Sequence, residues 1–306
     1  MDMRPDGVIT LGVGGVSSTR SSVNDMAGLA AVGNKIGIIG VPTSGSQFAL
    51  GNAQWDAPLV MDNVCTTAVD AATGAMSWAG VYYYPLAKDS YIQFCAYHPF
   101  AATGTSGADY LAAPAAGQAP VLHFTLTGGE DLMFAKPVVG SSSASPGKLS
   151  FEHALTQLQF ALVDEYGAYA DATLESITVL GVNASGAMNV ETGELGDWGG
   201  STDLALSGFS PVPITRSSSA APQLLDGELM LQPGAKSFTL RVVTSRATFD
   251  NVVIRPTSTV DGQKETTFVA GRSYLVTLTF KQRLEIESGA TVVPWVLGGT
   301  GEGIVQ

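Results

Sequence analysis

Apolar residues recur at every second position along much of this chain, a spacing that suits strands with one buried face and excludes amphipathic helices. Ile9, Leu11 and Val13 share one face near the start, and Leu240 and Val242 repeat the pattern in Phe238-Thr239-Leu240-Arg241-Val242. Val81-Tyr82-Tyr83-Tyr84-Pro85 and Tyr91-Ile92-Gln93-Phe94-Cys95-Ala96-Tyr97 are rich in aromatic and β-branched residues, with Ala87-Lys88-Asp89-Ser90 between them as a turn. That arrangement predicts a hairpin. No segment carries a helical period longer than about two turns, and Val64 to Ala72 is the one candidate for a short helix. The expected fold class is all-β.

The period breaks once. Leu149, Phe151 and His153 put their side chains at odd positions, whereas Leu158, Phe160 and Leu162 continue the apolar stripe at even ones. A slip of one residue would turn a strand's core face to solvent, so a bulge or a single helical turn is expected around Ala154 to Gln157. Just before it, Gly140-Ser141-Ser142-Ser143-Ala144-Ser145-Pro146-Gly147 is too small and polar to bury much surface and reads as a linker. With 306 residues, roughly two domains of ~150 residues each are expected: one over residues 1–140, the other over 148–306. Arg216 to Pro222 is expected as an exposed loop inside the second.

Charge excludes one class of partner. Fifteen Lys plus Arg against 27 Asp plus Glu give a net charge of -12, which repels a phosphate backbone, so nucleic acid is not an expected partner. Charged residues are only 14% of the chain and glycines number 36, a profile that suits an extracellular β protein better than a charged cytosolic one. No window approaches the ~18 uninterrupted apolar residues of a membrane-spanning helix. Met1 to Asp6 lacks the basic and apolar regions of a secretory leader, which is therefore absent or already removed. Cys65 and Cys95 are too few for a disulfide framework; each sits in an apolar stretch where a buried free thiol is the commoner state, with a Cys65–Cys95 bridge as the alternative.

Chemistry is sparse. His98, His123 and His153 lie in separate strands without metal-site spacing, and His153 reads as a hydrogen-bonded structural residue. Ser145-Pro146-Gly147-Lys148 matches S-x-x-K, but Pro-Gly forbids the helix that would bring the lysine to the serine. Asp164-Glu165 and Glu191 to Glu194 sit among turn residues and are expected as solvated turns rather than paired catalytic carboxylates. Asn183-Ala184-Ser185 matches a glycosylation sequon and is explained by a turn. The sequence therefore predicts no catalytic residue, no metal site and no cofactor, and the chain does not read as an enzyme. Trp55, Trp78 and Trp198 stand in Gly, Asp or Ser contexts where a ring can stay exposed, and Trp198 in Gly196-Asp197-Trp198-Gly199-Gly200 is the candidate for stacking on a glycan.

Several ordered motifs resemble one family. Asp131-Leu132-Met133, then Leu149-Ser150-Phe151-Glu152-His153-Ala154-Leu155-Thr156-Gln157-Leu158-Gln159-Phe160, is similar to the start of the C-terminal domain of fimbrillin-family (Mfa-like) proteins, subunits of the type V pilus of Gram-negative anaerobes. Phe94-Cys95-Ala96-Tyr97-His98-Pro99-Phe100 resembles the family's "F-x-A-Y-x-P-Y" strand end. Gly271-Arg272-Ser273-Tyr274-Leu275-Val276-Thr277-Leu278 resembles its "G-x-x-Y-x-L-T-L" strand, and Ile286 to Trp295 with the following glycines resembles its closing segment. Val16 to Ser22 is similar to a "T-R-A" processing site, with Ser21 in place of the alanine.

The resemblance implies two tandem transthyretin-like β-sandwich domains, export as a lipoprotein precursor, and a place at the cell surface on a pilus or the outer membrane. It implies an Arg-specific protease acting after Arg20 and loss of a leading strand carrying Val8, Ile9, Leu11 and Val13. A neighbouring subunit's strand would then fill the groove, and Val292, Val293, Trp295, Val296 and Leu297 belong to the candidate donor segment. The residues alone leave two alternatives open, a permanent edge strand at Val8 to Val13 and an ordinary last strand at Thr291 to Leu297, where Pro294 favours an edge. Expected partners are other pilus subunits, the protease, and a host glycan or protein receptor. A monomeric surface adhesin or glycan-binding lipoprotein is the alternative function.

Overall fold

A computed structural model describes residues 7–16, 26–32, 35–44, 52–87, 90–113, 116–260, 263–281 and 286–293. Among these the chain is almost wholly β, with one short helix at Met26–Ala31. Strands are numbered in chain order. A first seven-stranded sheet holds β1 (Val13–Val16), β2 (Gly37–Pro42), β3 (Met61–Val69), β4 (Met76–Trp78), β5 (Ile92–His98), β8 (Met133–Gly140) and β9 (Leu149–His153), in the order β1-β9-β8-β5-β2-β3-β4. All its pairs are antiparallel except β1 with β9.

Two further sheets are built mostly from the second half. One centres on β11 (Thr173–Asn189), which pairs with β7 (Val121–Thr125), β12 (Leu195–Ala205), β13 (Val212–Pro213) and β16 (Phe238–Thr244). That sheet is extended by β6 (Tyr110–Ala112) and β17 (Thr248–Ile254). The other sheet places β10 (Thr156–Val163) beside β14 (Gln223–Leu224), β15 (Leu229–Leu231) and, in parallel, β20 (Ser273–Phe280), with β21 (Ile286–Val293) antiparallel at its edge. A two-stranded ribbon, β18 (Thr259–Val260) and β19 (Gln263–Lys264), completes the set.

Two apolar clusters organise these sheets. Every residue of β5 is buried, because the strand is covered on both faces: Ile92, Phe94 and Ala96 enter one cluster with Ile38, Met61 and Phe151, whereas Cys95 and Tyr97 enter the other. That second cluster continues through β7, β10, β11, β16 and β20. Burial on both faces explains why β5 does not alternate apolar with polar residues.

Several expectations change. The slip between His153 and Leu158 is neither a bulge nor a helical turn: the chain leaves the first sheet after β9 and joins another at β10, so Phe151 and Phe160 face different clusters. Val64 to Ala72 is strand β3 and a turn instead of a helix, because Gly37–Pro42 supplies a partner ladder that overrides local preference. Val81 to Pro85 does not form a hairpin with β5, whose neighbours are β2 and β8; Tyr83 bridges to Val8. Gly140 to Gly147 is the β8–β9 connection, a turn closed by paired Ser141 and Ala144. Ladders cross this stretch, since β9 joins β8 and β7 joins β11. Neither cysteine is in a disulfide; Cys95 is buried and Cys65 partly so.

Candidate assembly site

Residues 7–13 lie in a seat built by distant parts of the chain. Alternation decides which side chains enter it: Ile9, Leu11 and Val13 are 2%, 5% and 2% exposed, while Thr10 and Gly14 face solvent. They pack in the first cluster with Leu29, Ile36, Tyr84 and Leu149. Burying three such aliphatic side chains contributes roughly 5–9 kcal/mol before the entropy of ordering the segment is counted.

The backbone of this segment is paired on both sides. Towards one wall, Ile9 N–H donates to the Tyr82 carbonyl (2.9 Å), Tyr84 N–H to Gly7 (2.7 Å), Met76 N–H to Leu11 (3.1 Å) and Val13 N–H to Gly74 (2.9 Å). Towards the other, Leu149 N–H donates to Gly12 (2.8 Å), and β1 continues parallel to β9 from Val13 to Val16. The segment therefore closes the first sheet on itself, from β4 round to β9. Two glycines permit the close approach. Gly74 has φ of +74°, and a Cβ there would stand 2.3 Å from the Val13 carbonyl oxygen; a Cβ on Gly14 would stand 2.9 Å from that of Lys148.

The seat is electrically quiet. Lys148 is on its rim, its Nζ donating to the Thr73 carbonyl (3.3 Å). Tyr84 lines the interior, edge-on to Phe94 at 6.1 Å; its hydroxyl has no hydrogen-bond partner among the described residues, and desolvation pushes its pKa up to about 12. Such a lining offers no nucleophile or metal donors. Its apolar row and paired backbone suit an alternating apolar strand.

The remaining expected residues are dispersed. Val8 bridges Tyr83 at the start of the seat. Arg20 lies outside the described residues, as do Trp295, Val296 and Leu297. Val292 and Val293 close β21, opposite Tyr274 and Ser273. Trp198 is on β12, half-buried and edge-on to Phe124 at 5.4 Å. Nearby, an open groove of about 470 Å³ is lined by Thr125, Thr127, Ser185, Thr202 and Asp203, and Trp198 is not part of its lining. Trp55 is buried rather than exposed, its indole N–H donating to Glu191 (3.1 Å).

The carboxylates are also less solvated than their turn context suggests. Asp164 is fully buried and accepts the N–H groups of Ala168 and Tyr169, both at 2.9 Å. Glu191 receives, besides Trp55, the Nε2 of buried Gln93 at 2.6 Å, so a turn after β11 is latched to the face of β5. Each histidine has a neighbour: His153 Nδ1 is 2.6 Å from the Asp131 carboxylate, His98 Nδ1 is 3.1 Å from the Lys35 carbonyl, and His123 stacks on Tyr110. No cluster of metal-ligating side chains occurs among the described residues, and no described helix is long and apolar enough to cross a membrane.

Sequence reasoning missed Gly74, Tyr82 and Tyr84 as walls of the seat. The only trace of them is that both sides of 81–84 are apolar, which calls for two covers.

An all-β chain whose first sheet is closed by residues 7–16 defines the class, a β-sandwich protein. A sequence profile described as fimbrillin-like matches residues 19–295, and the chain belongs to that fimbrillin-like family. Solved structures agree on the fold. A fimbrial protein from Bacteroides vulgatus is 16% identical with a TM-score of 0.59, covering 94% of this chain and 99% of its own. Two proposed cell adhesion proteins behave alike: one from Bacteroides ovatus (15% identity, TM-score 0.58, 97% and 100% covered) and one from Bacteroides uniformis (20%, 0.54, 95% and 100%). No curated protein matches the chain. The family is one of structural fimbrial or adhesin subunits rather than an enzyme class.

Proposed function

We propose that this protein is a structural or accessory subunit of a cell-surface pilus that polymerises by protease-triggered donor-strand exchange and supports adhesion. Membership of a fimbrillin-like family supports the coarser part, a pilus or adhesin subunit. The observation that carries the finer part is the seat: Ile9, Leu11 and Val13 are buried, yet one peptide-bond hydrolysis after Arg20 would leave their segment held by noncovalent forces alone. Its departure would unpair the carbonyls of Gly74 and Tyr82 and the N–H groups of Met76, Tyr84 and Leu149. An alternating strand from a second subunit satisfies those groups and refills the apolar row. The donor segment in this reading is Val292 to Val305, and use of Val292 and Val293 requires β21 to leave β20. The partners are other pilus subunits, an Arg-specific protease and a host glycan or protein receptor, after export as a lipoprotein precursor to the outer membrane.

The test is direct. Treatment with an Arg-specific protease should cut after Arg20 and yield SDS-resistant multimer ladders, and Arg20→Ala should yield neither. Intact monomer after treatment of the unaltered chain refutes the exchange.

The open groove beside β12 favours a second reading, a monomeric surface adhesin or glycan-binding lipoprotein, with Trp198, outside the groove's lining, as the ring to test. A blank glycan array removes it; a signal lost in Trp198→Ala supports it.

A further inference from the structure

The wall of the seat is apolar on both of its sides, and only one is covered. Along Val81-Tyr82-Tyr83-Tyr84-Pro85-Leu86, Tyr82 and Tyr84 turn inward to the first cluster. The outward residues are bare: Val81 is 60%, Tyr83 56% and Leu86 101% exposed. Ala79 and Gly80 beside them are exposed as well. Scattered exposed hydrophobics are ordinary, but these three fall within six residues, on a segment hydrogen-bonded to residues 7–13. Tyrosine with aliphatic neighbours is the composition of the buried centre of a protein interface.

We infer that Val81, Tyr83 and Leu86 are the docking surface for the body of a second copy of this chain. The inference rests on the strand-exchange reading. Two features of the molecule select that occupant. Tyr83 bridges Val8 and Tyr82 accepts from Ile9, so the patch is continuous with the seat, and a donor strand entering it is tethered to a body that has to settle against an adjoining wall. Charge points the same way. The chain carries a net charge of -12, so two copies repel over most of their surfaces, whereas no charged residue lies between Asp70 and Lys88. A segment without charged residues of its own suits the meeting of like-charged copies.

The experiment compares the unaltered chain with Tyr83→Asp/Leu86→Asp, both treated with the Arg-specific protease. A third sample carries a photocrosslinking phenylalanine analogue at position 83. Both altered side chains point to solvent, so circular dichroism and melting of the monomers should coincide with the unaltered protein. The expected result is a ladder for the unaltered chain, about tenfold or more fewer multimers for the double variant, and crosslinks from position 83 into the neighbouring subunit. Should the double variant assemble as well as the unaltered chain, with position 83 crosslinking to no neighbour, the docking surface is refuted while strand exchange stands. If the unaltered chain is cut and forms no ladder, strand exchange is refuted and the docking inference falls with it.

Discussion

Replacing Leu11 with alanine tests whether the leading segment opens as a unit of its own. Leu11 sits between Ile9 and Val13 in one buried row, and its carbonyl accepts from Met76 on the wall. Truncating a fully buried leucine costs about 2–5 kcal/mol. At the edge of a cluster, where the segment can shift to fill part of the space, ~3 kcal/mol is expected, or roughly a hundredfold in the opening equilibrium. The backbone bond survives the substitution, so the loss is one of packing. Amide hydrogen exchange reports it locally: the N–H groups of Ile9, Val13, Met76 and Leu149 bond across the seat and should exchange about a hundredfold faster. Amides paired between β10 and β20, in the other cluster, should keep their rates. Thr10→Ala, on the exposed side of the same segment, should change neither set. Rates at Met76 and Leu149 within about threefold of the unaltered protein would mean that this row does not hold the segment, and the reasoning fails.

Other consequences concern the rest of the fold. Burial, with the Glu191 charge adding to it, pushes the Cys95 thiol up to about 12, so thiol reagents at pH 8 should label Cys65 alone until the protein is unfolded, and reduction should leave the mass unchanged. Desolvation holds His98 below its ordinary 6.5, against the opposing pull of Asp131. The unfolded chain therefore takes up a proton that the folded one resists, and stability, complete above about pH 6.5, declines as pH falls from there towards the folded value. Urea titrations across that range should flatten in His98→Gln. Glu191→Ala strands the Trp55 and Gln93 donors and should lower stability by about 2–4 kcal/mol, read from denaturant midpoints; a change under about 0.5 kcal/mol would discount the latch.

What the sequence disclosed depended on how local the determining contact is. The rows Ile9-Leu11-Val13 and Phe238-Leu240-Val242 are legible because period two is written into neighbouring residues, and β20 falls within the strand expected before Phe280. Partnership is another matter. Tyr83 finds Val8 instead of the nearer β5 because the choice depends on which edge the closed sheet leaves vacant. The break at Ala154 was visible as a change of phase, but a jump between sheets and a bulge leave the same mark in one dimension. Asp164 and Glu191 sit among turn residues, and only the folded chain shows that those turns are tucked inward onto Tyr169 and Gln93.

Strand β11 has 17 residues and is paired with β7 and β16 along one edge and with β12 and β13 along the other. At about 3.3 Å per residue it spans roughly 56 Å. Tension applied along its axis would load many of its hydrogen bonds at once, in shear, instead of unzipping them one after another. A rod of such units would stretch first where strands can peel singly, and this strand is placed to be the last to yield.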